Sequence, residues 1–362
     1  MPARPRRTVD RPVAVVTGAS AGVGRAVALA FARRGYAVAL LARSEAALGE
    51  VARAVRAAGG AAQAYPLDVA DAAAMMEAAD AVAERFGRID VWVNDAMLTV
   101  FGRTEDIAPD EFRRVTEVTY LGYVHGTRAA LKHMRGRNAG TIVQVGSALA
   151  YRSIPLQSAY CAAKAAIRGF TDSLRCELLR ERSRIRLTMV HLPAVNTPQF
   201  DWARSHLPEE LRPVGTIHQP EAVAEAILRA ARRAPRELWI GTSTIEAILG
   251  TMVAPAFLDR FVAGRAWAGQ MTGVAADPGR PDNLFATVKG GHATRGRFSG
   301  VARNHVVAVS STTIRATLLG GAVLALCGAA ALGFAAGRNS EQARSGFGRL
   351  VAGMAAGGRA AG

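Results

Sequence analysis

The amino-acid sequence predicts an α/β fold built on a doubly wound parallel sheet. Short apolar runs alternate with longer helical stretches: Val13 to Val16, Tyr36 to Leu41, Ile89 to Val93, Thr141 to Val145 and Ile185 to Val190 read as buried strands. A glycine-rich turn, Thr17-Gly18-Ala-Ser20-Ala-Gly22-Val23-Gly24, joins the first run to the helix that follows. Half of the 362 residues are hydrophobic, enough for a core in a domain of about 250 residues, with a tail of about a hundred left over.

A second motif carries the chemistry. Tyr160 and Lys164 are four residues apart and fall on one face of the helix that starts near Ser158. A lysine cation beside a phenol favours the phenolate and draws its pKa toward the range of a general acid/base. Ser147, at the end of the run Thr141 to Val145, is placed to donate a hydrogen bond to a substrate oxygen. With Thr-Gly-x-x-x-Gly-x-Gly upstream and a serine thirteen residues before the tyrosine, residues 10 to 245 resemble the short-chain dehydrogenase/reductase family. The resemblance implies a Rossmann-type fold, a nicotinamide dinucleotide and a Ser147/Tyr160/Lys164 centre.

Taken in order, the glycines of the first turn (Gly18, Gly22 and Gly24, with Ser20 and Val23) let the backbone approach a pyrophosphate at a helix N-terminus. The second strand ends in Ala42-Arg43. An acid there would meet a ribose 2′-hydroxyl; Ala42 leaves the place uncharged and Arg43 can meet a 2′-phosphate, so the expected cofactor is NADP(H). A helix from Glu45 to Ala58 stops at Gly59-Gly60. Asp68 and Val69 close the third strand, where the family contacts adenine, although Asp68 could equally cap the next helix, Ala72 to Phe86.

The fourth strand ends in Asn94-Asp95-Ala96-Met97, where the family has Asn-Asn-Ala-Gly. Asn94 is kept as a cofactor-site residue, while Asp95 brings a carboxylate and Met97 a bulky side chain. Asp110 to Met134 reads as two helices' worth of sequence. Within it Thr119 stands where the family has an asparagine that bends the helix and holds a water on the lysine's proton path; a hydroxyl offers fewer hydrogen bonds. The sixth strand ends in His191-Leu-Pro193-Ala194-Val195-Asn-Thr197, resembling the family turn that meets the nicotinamide carboxamide and the phosphates, through Pro193, Val195 and Thr197. His191 reads as a strand-end residue. Gln199 to Leu211 is the expected substrate lid, and Glu237 to Gly241 the strand that closes the sheet.

The domain plan is a basic arm over 1–11, a catalytic domain over 12–245, an extension and linker over 246–303 and a tail over 304–362. Ile245 to Met252 and Phe257 to Met271 are apolar and expected to pack against the core at the active-site mouth, form a dimer surface or lie at a membrane interface. Asp277 to Arg303 is rich in Gly, Pro and Arg and reads as a linker or extended arm. Ala316 to Gly337 runs 22 residues without a charge, about 33 Å as a helix against a bilayer core of about 30 Å. A transmembrane anchor over 316–337 is expected.

The net charge of +16 sits mainly at the ends, +3 in residues 1–11 and +8 in 289–362. The arginines are dispersed and accompany no nucleic-acid motif, so nucleic acid is not an expected partner. Three scattered cysteines suggest a reducing compartment, and no apolar export segment precedes Val13. The need for NADPH places the catalytic domain in the cytoplasm. The expected activity is hydride exchange between NADP(H) and a carbonyl/alcohol pair, on a lipophilic small molecule, in a protein that can pair with a second copy. The alternative is a binding or scaffold protein at the membrane, in which Asp95, Met97 and Thr119 have weakened catalysis.

Overall fold

The computed structural model describes residues 11–319. Its strands, in chain order, are β1 (Val13–Thr17), β2 (Ala37–Ala42), β3 (Ala61–Pro66), β4 (Val91–Asn94), β5 (Gly140–Ser147), β6 (Ile185–Leu192), β7 (Glu237–Ile240) and β8 (Ala308–Ser310). They form one sheet in the order β8-β7-β6-β5-β4-β1-β2-β3, parallel throughout except for the antiparallel β7–β8 pair. The strand order reverses between β1 and β4, which opens a crevice at the carboxyl ends of the strands. β1 is buried at every position, as a central strand covered on both faces must be.

Helices α1 (Gly22–Ala32), α2 (Glu45–Ala57), α3 (Ala72–Phe86), α4 (Pro109–Thr116), α5 (Gly122–Arg135), α6 (Ser158–Arg180) and α7 (Pro220–Arg233) make the crossovers. Apolar side chains of α1, α2 and α7 cover one face of the sheet, and those of α3, α5 and α6 the other. Local chemistry sets the ends. Ser44 caps α2 by accepting from the Ala47 amide, and Asp71 caps α3 by accepting from Ala73 and Ala74. The cap of α3 is therefore Asp71 and not Asp68. Gly87, at φ 80°, ends α3 in the left-handed region that glycine adopts without strain.

Polar groups inside the core are paired. Trp92 and Trp239 are fully buried, and their indole N–H groups donate to Asn94 Oδ1 (2.8 Å) and Glu237 Oε2 (2.9 Å). A buried donor left unmet would cost about 1–3 kcal/mol, so these two acceptors are part of the fold. Between α4 and α5 the backbone makes a π turn over Glu117–Leu121, and Thr119 sits inside it.

The chain beyond the predicted last strand departs from a simple linker. Helices α8 (Thr242–Val253) and α9 (Pro255–Ala268) follow β7. Met271–Ala275 pairs antiparallel with Glu209–Leu211. Residues 277–303 run back across the carboxyl ends of the strands before β8 pairs with β7, matching Leu238 to Ser310 and Ile240 to Ala308. β7 is thus not the edge of the sheet. One compact unit extends through Ser311, and residues 312–319 of the second unit are helical. Among the described residues no helix is long and apolar enough to cross a membrane. The predicted anchor over 316–337 lies outside the described residues except for its first four.

Candidate active site

β5 ends at Ser147, whose hydroxyl accepts from the Leu149 amide at 3.1 Å and whose carbonyl is met by His191 Nδ1 at 3.0 Å. His191 is fully buried; Tyr151 and Glu237 lie beside it, the tyrosine hydroxyl donating to the carboxylate at 2.8 Å. This cluster stands behind the strand end and fixes the Ser147 backbone. His191 is therefore structural, and burial holds its pKa below the ordinary value against the pull of Glu237.

Tyr160 and Lys164 project from the first turns of α6 into the same cavity as Ser147, a space of about 810 Å³ that continues to Arg43 at its other end. Burial pushes the Tyr160 phenol well above its usual pKa, while its hydrogen bond with Ser147 acts downward. The lysine does not meet the phenol directly. Lys164 Nζ donates to Val145 O at 2.7 Å and to Tyr123 Oη at 3.0 Å, and lies 5.6 Å from the Tyr160 ring centre. The expected depression of the tyrosine pKa by the lysine is absent from this arrangement, because the ammonium is aimed at the end of β5. Burial lowers the Lys164 pKa, with Asp95 opposing; burial raises that of Asp95, with Lys164 opposing. Each is the other's charge partner across the site.

Thr119 is not on this path. Its hydroxyl accepts from Leu98 N and donates to Leu98 O, both at 2.9 Å, which ties the π turn to the loop after β4. Tyr123, one turn further along, is the residue that reaches Lys164, and its own hydroxyl donates to Val145 O at 2.9 Å. No motif in the sequence singles Tyr123 out; its helical spacing from Thr119 was the available signal.

At the other end of the cavity the glycine turn is as tight as its spacing predicts. Gly18 and Gly22 have φ of 69° and 54°, and a Cβ on Gly24 would stand 2.3 Å from the Gly18 carbonyl oxygen. Gly24 lies behind the cavity wall, whereas Gly18, Ser20, Gly22 and Val23 line it. Thr17 locks the turn to the β4 loop, its hydroxyl accepting from the amides of Asp95 (2.9 Å) and Ala96 (3.1 Å). Arg43, Asp68 and Val69 line the cavity beside the end of β2, and Pro193, Val195 and Thr197 line it after β6. A shallow glycine floor running from an arginine to a tyrosine fits a dinucleotide. Met97 also lines the cavity and has no left-handed backbone, so this turn does not require glycine.

Two predicted cofactor residues have other work. Asn94 is 1% exposed and bonds Trp92, Thr127 (3.2 Å) and Gln144 (2.9 Å); it is a hub of the core and is not on the cavity wall. Asp68 accepts from the Ala70 amide and is ion-paired with Arg114, although it keeps a face on the cavity.

The Tyr160 end of the cavity opens into an apolar chamber. Leu149, Ile154, Phe200, Leu258, Phe261 and Val262 line it, so the predicted lid and helices α8 and α9 both contribute. The lid is tied down: Arg204–Ser205 pairs with Val100–Phe101, and His206 Nε2 meets the buried Glu111 at 2.8 Å. Of the roles open to the apolar extension, α8 and α9 fill that of walling the site, while Met252, Val253, Phe257 and Trp267 keep exposed apolar faces.

The chain matches the short chain dehydrogenase family over residues 12–207. YxnA, an uncharacterized oxidoreductase of Bacillus subtilis, is 35% identical over 297 residues, 81% of this chain and 82% of the relative. The putative oxidoreductase SadH of Mycobacterium tuberculosis is 32% identical across 63% of this chain and 86% of its own length. Among solved structures, an alcohol dehydrogenase from the archaeon Thermococcus sibiricus complexed with 5-hydroxy-NADP is 32% identical, with a TM-score of 0.55, covering 64% of this chain and 96% of that one. A short-chain dehydrogenase from Streptomyces avermitilis is 30% identical, with a TM-score of 0.60, covering 70% and 96%.

Proposed function

Because the chain belongs to the short-chain dehydrogenase family and is an oxidoreductase of that family, we propose that it interconverts an apolar carbonyl compound and its alcohol with NADP(H). The observation that carries the reading is one continuous cavity holding Ser147, Tyr160 and Lys164 at one end and Arg43 at the other. The bound nicotinamide would supply or accept the hydride. Ser147 holds the substrate oxygen, and Tyr160 gives its Oη proton to that oxygen in reduction or takes it back in oxidation. A phenol is protonated at neutral pH and burial raises its pKa further, so the acid form needed for reduction is the resting form. Lys164, held by Tyr123 and Val145, keeps a third N–H for the nicotinamide ribose and would anchor the cofactor beside the tyrosine.

Arg43 supports a 2′-phosphate because a guanidinium at the end of β2 stands where an acid would otherwise select a ribose hydroxyl. The structural neighbour from Thermococcus sibiricus, which carries an NADP derivative, agrees with that choice. The apolar chamber favours a lipophilic substrate. The cytoplasm, where NADPH is regenerated, is the proposed location of this domain.

The test is NADPH oxidation by the purified chain against a panel of aldehydes and ketones of increasing apolar size, with NADH in parallel. Turnover that improves with apolar size and prefers NADPH supports the reading. Tight nucleotide binding with no turnover on any carbonyl would leave a binding protein on an oxidoreductase frame.

A further inference from the structure

Residues 282–296 of the extension lie against the groups expected to hold the nucleotide, and they meet them with backbone carbonyls. Arg43 donates to the carbonyls of Asn283 (2.5 Å) and Leu284 (3.4 Å). Arg114 Nε adds a bond to Leu284 O at 3.2 Å. At the glycine turn, the Gly22 amide donates to Ala293 O at 2.9 Å, and Arg25 Nη1 donates to His292 O at 2.5 Å. The segment is pinned at both ends. Leu284 is fully buried in the same apolar cluster as Val69 and Val118. Near the far end, Gly296 N donates to Asn196 O, and its Cα passes so close to Thr197 that a Cβ would stand 2.4 Å from the Thr197 carbonyl oxygen.

A segment placed so could fill the site or roof it, and the cavity decides. The space from Arg43 to Tyr160 stays open beneath the segment, with Asn283, Thr287, Val288 and His292 forming its outer side. Its volume of about 810 Å³ is within the range of about 300–1,000 Å³ usual for small-molecule and cofactor sites. Arg43 has more N–H donors than two carbonyls can use, and it still lines the cavity.

We propose that residues 282–296 form the outer wall of the nucleotide site: they hold Arg43 so that its remaining donors face a 2′-phosphate, and they close over the dinucleotide beside Gly22. The inference rests on the dinucleotide reading above. It makes this extension a determinant of nucleotide choice and of nucleotide release, roles that the glycine turn and Arg43 would otherwise carry alone.

The experiment uses the full chain and reads trypsin cleavage after the exposed Lys289 by mass spectrometry, with and without NADPH, beside NADPH and NADH affinities and NADPH release rates. NADPH should protect the bond after Lys289. Leu284→Ala, which frees the wall at the Arg43 end, should weaken NADPH about tenfold or more, speed its release and reduce the preference over NADH. Gly296→Ala, which lifts the wall near Thr197, should speed release of both nucleotides and leave the preference unchanged. Circular dichroism and urea unfolding establish that each variant is folded before it is read. Cleavage accelerated by NADPH, or variants that bind NADPH more tightly, would show a plug and overturn the proposal while leaving the dinucleotide reading intact. NADPH binding that alters neither cleavage nor release in any variant would overturn it too. Failure of NADPH to bind the wild-type chain and both variants would instead remove the dinucleotide reading on which it stands.

Discussion

Tyr123→Phe probes the least expected contact in the site. Lys164 is 2% exposed, and its ammonium has two recorded acceptors, Val145 O at 2.7 Å and Tyr123 Oη at 3.0 Å. A hydrogen bond to a charged group contributes about 1.5–3 kcal/mol, and one pKa unit corresponds to about 1.4 kcal/mol. Removing the hydroxyl should therefore lower the Lys164 pKa by a further one to two units or so, beyond the lowering that burial already imposes against Asp95. The sign for stability follows. A lysine with a depressed folded-state pKa binds fewer protons folded than unfolded, so stability rises with pH across that window. The variant's lysine-linked deficit should be absent above the wild-type Lys164 pKa and grow as pH falls through it. A smaller pH-independent loss, from the bond between Tyr123 Oη and Val145 O, should remain throughout. The assay is kcat for carbonyl reduction across pH, with urea unfolding at the same pH values. The limb governed by Lys164 should move to lower pH, with Asp95 and Tyr160 as the other titrating groups facing it. A variant that loses stability equally at every pH and keeps the wild-type rate profile would refute the link between Tyr123 and the lysine.

Tyr160→Phe should abolish turnover while NADPH titration by fluorescence stays near wild type; loss of binding would show that the phenol serves the nucleotide instead. Arg43→Ala should weaken NADPH by about tenfold or more relative to NADH, the value of one charge-assisted bond, and equal losses for both would argue against 2′-phosphate recognition. Glu237→Leu should cost several kcal/mol in urea unfolding, since Tyr151 Oη and Trp239 Nε1 each lose an acceptor at about 1–3 kcal/mol. It should also lower kcat through Ser147, whose carbonyl His191 holds; unchanged kcat in the folded variant would separate that cluster from catalysis.

Much of the frame was written locally. Apolar runs of strand length, helical stretches between them and the caps at their ends specify the central sheet, because each depends on residues a few positions apart. Gly18 and Gly22 sit at positive φ where their spacing in the sequence placed a tight turn. Tyr160 and Lys164 share one face of α6 for the same reason, and Ser147 ends the strand beside them. Asn94 and Thr119 mark where motif position misleads: each stands at a family site position, yet Asn94 serves Trp92 and Gln144, and Thr119 serves Leu98.

What meets these local pieces depends on long-range packing. Arg43 reaches Asn283 across 240 residues of chain, and Arg25 reaches His292 across 267. The bonds end on backbone carbonyls, which every residue carries and no side-chain pattern announces. The composition of 277–303, rich in glycine, proline and arginine, signalled irregular backbone but not where that backbone would lie. The direction of the Lys164 ammonium was equally hidden, since it depends on α5 bringing Tyr123 against the end of β5. Local sequence set the seven parallel strands, the glycine turn and the shared helix face of Tyr160 and Lys164, while β8 joined the sheet from a stretch with no such signal. Folding decided which groups the lysine and arginine face, because a buried charge takes whichever acceptors the packed chain brings within reach.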